Sequence, residues 1–138
     1  MKAPMNWRGI IGLILHVLVS GMMIFAGSMK LLGFFPRDEM AKFGLGEQIY
    51  LIGAGEVISA VLLLVPRTSS LGVLLVSGFW GGTIATHMAH SEAYLFQSGM
   101  LVLTWVGGYL RSPATFSSFS VPPRLTQPQA EPSNLATP

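Results

Sequence analysis

Four apolar stretches, each close to the length of a bilayer crossing, constrain this chain more than any other feature. They run over residues 9–29, 49–65, 71–88 and 93–110. A spanning helix needs about 20 mostly apolar residues, with a tolerated range of about 17–25, to cross the hydrocarbon core. Charge is scarce: 10% of the 138 residues are charged and 51% are hydrophobic, against about 25% charged in an ordinary soluble domain. A soluble fold of this size cannot hide that much apolar surface, so lipid is the expected solvent. The expected fold class is all-α: a transmembrane four-helix bundle. The basic N-terminus, with Lys2 and Arg8, resembles that of a cleaved signal. The first apolar run, however, exceeds the 7–15 residues of a signal core, so it reads as a retained span.

The connections differ in character. Residues 33–46 form the one long internal loop. Within it Pro36 opens, and Gly44 closes, a segment that reads as a short helix, and Phe34, Phe35 and Phe43 suit that helix to the membrane interface. Residues 66–69 and 90–92 read as tight turns. Beyond Arg111 the composition changes abruptly, and six of the nine prolines lie there among Ser, Thr and Gln. Such a segment buries too little apolar surface to fold alone. The chain therefore divides into a helical domain over 1–111 and an extended Pro-rich tail over 112–138. Four spans put both termini and the 66–69 turn on one side, with Lys2, Arg8, Arg67, Arg111 and Arg124; Lys30, Arg37 and Lys42 fall on the other. Basic residues accumulate on the cytoplasmic side, so both termini and the tail are expected in the cytoplasm, with the chain multi-pass in a bacterial-type inner membrane.

Several chemistries are excluded early. A net charge of +2, scattered along the chain, is no nucleic-acid footprint. The absence of Cys removes disulfides, thiolate metal sites and thiol redox chemistry. No phosphate-cradling loop, activated nucleophile or paired-carboxylate motif is visible, so no catalytic residues are assigned and no enzyme activity is expected.

Ionisable groups inside a span cost about 2.5–3.5 kcal/mol on insertion scales and normally face a bundle interior with a partner. Helical spacing sorts the few present. His16, Ser20, Met23, Gly27 and Lys30 repeat at four and three residues along the first helix. Trp80, Thr83, His87 and His90 do so along the third, and Gln97, Thr104 and Gly108 mark the fourth. Turned inward with Glu56, they give a polar seam of His16, Lys30, Glu56, Thr83, His87 and His90, either structural or ligand-binding. Glu56 has two candidate partners, Lys30 and His16, and the pair either sets helix register or handles protons and ligand. His87 and His90 share a face but lack a convincing third ligand, so no metal is expected. Gly78 and Gly82 form a small-xxx-small pattern and are expected to pack helices together.

Taken in order, Gly21–Gly33 with Lys30, Gly53–Ala60 with Glu56, Leu62–Thr68 and Gly81–His87 resemble the DoxX-like family of small four-helix membrane proteins. The resemblance covers about residues 8–111. It implies a Lys closing the first helix, a Glu in the second and a His ending the third, which correspond here to Lys30, Glu56 and His87. The family name derives from a subunit associated with a quinone-linked oxidoreductase, but most members have no established activity. The resemblance therefore supports fold more than function; the polar seam, the lack of a catalytic constellation and the tail leave two main roles. One is a non-catalytic subunit stabilising a larger respiratory or photosynthetic electron-transfer complex, through its helix faces and through the tail at Pro122, Pro123 and Arg124. The other is a redox partner binding quinone or another small molecule at Lys30, Glu56 and His87. A small transporter ranks third. No resident cofactor is expected, although a quinone would suit the seam.

Overall fold

The computed structural model describes residues 6–114. Among them the chain forms five helices: α1 (Trp7–Leu31), α2 (Arg37–Ala41), α3 (Ile49–Leu64), α4 (Ser69–Ala89) and α5 (Leu95–Arg111). The four longer helices follow the four apolar stretches to within two residues at each end. They pack in a closed ring, α1 on α3 and α5, and α4 on the same two neighbours. α1 and α4, at 25 and 21 residues, are long and apolar enough by themselves to cross a membrane. α3 and α5 have 16 and 17 residues, shorter than the four full spans expected.

Local signals explain the helix ends. The Asn6 side chain accepts from the Gly9 amide at 3.3 Å and caps α1. At the other end Gly33 (φ +76°) turns the chain, with Gly33 N–H bonded to Lys30 C=O and Phe34 N–H to Met29 C=O, the glycine stop of a Schellman motif. Gly44 (φ +69°) repeats it, with Gly44 N–H on Ala41 C=O and Leu45 N–H on Met40 C=O. Between these two stops the chain forms a strap around α2.

The core is Val19, Met23, Ala60, Leu63, Val73, Val76, Trp80 and Met100. Helices meet most closely at glycines that leave no room for a Cβ. A Cβ on Gly27 would lie 2.7 Å from the Gly53 carbonyl, one on Gly12 would lie 2.7 Å from the Gly107 carbonyl, and one on Gly72 would collide with the Leu63 backbone. Gly78 and Gly82, expected to pack helices, have no neighbour within 4 Å of a built Cβ. Spacing alone does not show which flank of a helix faces a partner. The tail contacts assigned to Pro122, Pro123 and Arg124 lie outside the described residues.

Candidate functional site

The Gly27–Gly53 contact sets the register of α1 against α3. The two helices run antiparallel, so Lys30 sits beside Gly53 and Glu56 beside Gly27. One helical turn from that contact, Lys30 Nζ donates to Glu56 Oε2 at 2.7 Å, with the side chains only 8% and 5% exposed. The ammonium also lies 5.0 Å from the centroid of the Phe35 ring, carried by the strap. Of the two partners open to Glu56, the structure selects Lys30.

Lys30 and Glu56 border a cavity of about 630 Å³. Its walls come from the strap (Phe35, Glu39, Met40, Phe43), from α3 (Ile52), from α4 (Gly78, Phe79, Trp80, Gly82, Thr83, Thr86, His87) and from α5 (Phe96, Gln97). Aromatic rings dominate, with Trp80 edge-on to Phe79 and to Phe96 at 5.4 and 6.3 Å. His87 Nε2 lies 3.0 Å from Gln97 Nε2, and its Nδ1 lies 3.3 Å from Glu92 Oε2. A proton on Nδ1, facing the carboxylate, leaves Nε2 to accept from the Gln97 amide, and Gln97 Oε1 is then left over. The Nδ1–Glu92 contact has ion-pair distance without hydrogen-bond alignment, so His87 Nδ1 joins Gln97 Oε1 and Trp80 Nε1 as buried polar atoms with no bond partner among the described residues. Three such atoms around one cavity are a dense cluster, since most buried polar groups are paired.

The strap holds the rim. Phe43 packs against His87 and His90 at 5.3 and 5.1 Å. Lys42 donates to Glu39 at 2.7 Å, and that bond holds the Lys42 ammonium above the usual lysine range. Arg37 donates to the Tyr50 hydroxyl at 2.8 Å.

The expected seam is therefore divided. Lys30, Glu56, Thr83 and His87 share the cavity. His90 does not: it is exposed, and its Nδ1 bonds the Thr86 carbonyl of its own helix at 2.9 Å. His16 lies about 21 Å from Lys30 along α1, at 1.5 Å per residue. There His16 Nε2 contacts the Thr104 carbonyl at 3.2 Å, and Arg111 Nη1 lies 3.3 Å from Nδ1. Arg111 also donates to Leu63 C=O and Leu64 C=O, both at 2.8 Å, closing the last carbonyls of α3. Depth counted along each helix makes His16 and Glu56 look level. α1 is nine residues longer than α3, and the register at Gly27 places His16 beyond Glu56, toward the end of α3.

In the sequence Arg111 carries only a charge for topology, and Phe35, Phe43, Phe79 and Phe96 are only apolar or interfacial residues. No spacing rule connects them to the site. Gln97 and Trp80 were on polar stripes, a signal that pointed inward without naming a partner. Among the described residues no group of three His, Asp or Glu gathers closely enough for a metal ion.

An all-helical protein with apolar helices and one buried Lys–Glu pair beside a cavity defines the class. The profile of the DoxX-like family matches residues 14–107, more than half of the chain. The chain belongs to the DoxX-like family. Comparison with characterised proteins and with solved structures gives no significant match.

Proposed function

We propose that this DoxX-like protein binds a neutral, ring-bearing small molecule of the quinone or quinol class inside the membrane, without catalysing a reaction on it. The observation that carries the reading is the cavity of about 630 Å³ bordered by the buried Lys30–Glu56 pair. Its size falls within the roughly 300–1,000 Å³ of small-molecule sites, and its make-up of apolar walls with a few convergent polar groups is the usual one. Flat aromatic walls suit a planar ring. Lys30 has ammonium protons beyond the one given to Glu56, which suit a carbonyl or hydroxyl oxygen.

The setting belongs to the same proposal. All four long helices span the membrane, α3 and α5 lying level with α1 and α4 in the ring. Arg111 reaches the end of α3 beside the Arg67 turn, which groups these basic residues at one end, and by the positive-inside rule that end faces the cytoplasm with both termini. The membrane is then a bacterial-type cytoplasmic membrane.

The test is equilibrium binding of a decyl-substituted benzoquinone and its quinol to the full chain in lipid nanodiscs. Wild-type protein binds at least one of the two, and Glu56→Gln weakens that binding. Equal binding by Glu56→Gln and wild type would overturn the reading. A second reading, packing as a non-catalytic subunit of an electron-transfer complex, is favoured by the large apolar side chains on the outer faces, including Phe25, Leu51, Leu74 and Leu95. These suit a neighbouring membrane subunit as well as lipid. Isolation in mild detergent with no co-purifying subunit counts against it.

A further inference from the structure

Resting on the binding reading above, we infer that the ligand enters the cavity sideways from the bilayer, through a gap between α3 and α4 floored by Gly78 and Gly82, and that it carries an apolar tail left lying in that gap. The flank of α4 that faces α3 is marked by Gly72, which is jammed against the Leu63 backbone. Counting on by helical steps, Phe79, Thr83 and Thr86 follow Gly72 at seven, four and three residues, with Gly82 three beyond Phe79. Every one of these later residues borders the cavity. The stripe that begins by touching α3 thus ends by lining empty space: the two helices close at their turn and part toward the other end.

Gly78 and Gly82 are exposed at this parting, and a Cβ on either meets nothing within 4 Å. Deeper in, Trp80 and Gln97 are 4% and 9% exposed, and each holds a polar atom without a partner among the described residues. Polar demand lies at the deep end and smooth apolar backbone at the gap, the profile of a ligand with a polar ring and a greasy tail.

Charge selects a neutral molecule. Lys30 is already neutralised by Glu56, and the other acids at the cavity, Glu39 and Glu92, lie against Lys42 and His87. An anionic headgroup finds no uncompensated cation at the cavity among the described residues, which disfavours a phospholipid. From the aqueous side the strap stands in the way, with Phe35 on Lys30 and Phe43 on His87.

The test measures binding of a decyl-substituted benzoquinone and of the same ring without its tail to full-length protein in nanodiscs. With affinities referred to the concentration of each ring in the bilayer, wild type prefers the tailed ring by about tenfold, because the tail gains packing contacts in the gap. Gly82→Leu, which narrows the gap, brings that preference down to near one by weakening the tailed ring more than the tail-less one. Gly81→Leu is the matched control: Gly81 also has free space at its Cβ but does not border the cavity, so the preference survives. Gly78→Leu is read in the same way should Gly82→Leu fail to fold. Three results overturn the inference: a preference unchanged in Gly82→Leu, equal weakening of both rings, or a concentration-dependent dimer that Gly82→Leu dissolves, which would make the glycine face a contact between copies. If wild type binds neither ring, the binding reading falls with it; if it binds both but the portal variants change nothing, only the portal falls.

Discussion

The two ends of the helix ring handle buried polar groups in opposite ways. At the end holding Arg111, His16 sits between the Thr104 carbonyl and the guanidinium, and the same guanidinium closes the Leu63 and Leu64 carbonyls. The groups of this trio are matched, and a Cβ on Gly107 would collide with the His16 ring, so the helices pack tightly here. At the other end Lys30 and Glu56 pair with one another, but Trp80, His87 and Gln97 each keep an atom unpaired among the described residues beside an open cavity. A leftover buried polar atom costs about 1–3 kcal/mol. The chain closes that cost at one end and carries it at the other, which is why the second end reads as the site and the first as a clamp.

The largest expected effect is at Lys30. Lys30→Met leaves Glu56 buried without its partner, and stripping one member of a buried pair costs about 3–5 kcal/mol. Unfolding in mixed micelles will show that loss, and the double variant Lys30→Met/Glu56→Leu will recover most of it. A single variant as stable as wild type would mean that the pair does not anchor α1 to α3.

Next comes the clamp. Arg111→Leu removes bonds from a charged donor to two carbonyls and is expected to cost about 2 kcal/mol. Quinone-class binding should stay at the wild-type level, because the clamp lies far from the cavity. A change in affinity with Arg111→Leu would break the separation between the two ends.

Gln97→Leu sharpens it from the other side. It deletes an amide that is only half satisfied, so stability should move by less than about 1 kcal/mol while ligand binding falls. A large stability loss with unchanged binding would make Gln97 a clamp residue like Arg111.

The smallest effect concerns the turn that brings Glu92 to His87. Ser91 takes φ +58°, with Ser91 N–H on Met88 C=O and Glu92 N–H on His87 C=O, the position a glycine occupies in the two stops of the strap. Ser91→Gly should add about 0.5–1 kcal/mol by relieving the left-handed conformation, measured in the same micelle unfolding. No gain would mean that the serine side chain compensates for its backbone.

The helices were legible because a bilayer-length apolar run carries its own boundaries: Asn6 caps α1, Gly33 and Gly44 bracket the strap, Pro66 follows α3, and Arg111 closes α5. The inward stripes were legible too, since spacing of three and four fixes one face. Which stripe meets which was not. His16 and Glu56 look level when residues are counted along each helix, and only the Gly27–Gly53 contact shows that Lys30 is the partner of Glu56. Gly78 and Gly82 carry the pattern of a packing face, but small residues permit both close contact and empty space, and here they border the cavity.

The sequence by itself determined what each segment becomes, because apolar length, caps and turn glycines act within a few residues. The tertiary structure alone decided that His16 belongs with Arg111, that Lys30 belongs with Glu56, and that a cavity opens beside that pair. The two pairings depend on register between helices that are not consecutive in the chain. Register is set by where glycine backbones can touch, a property of two surfaces together.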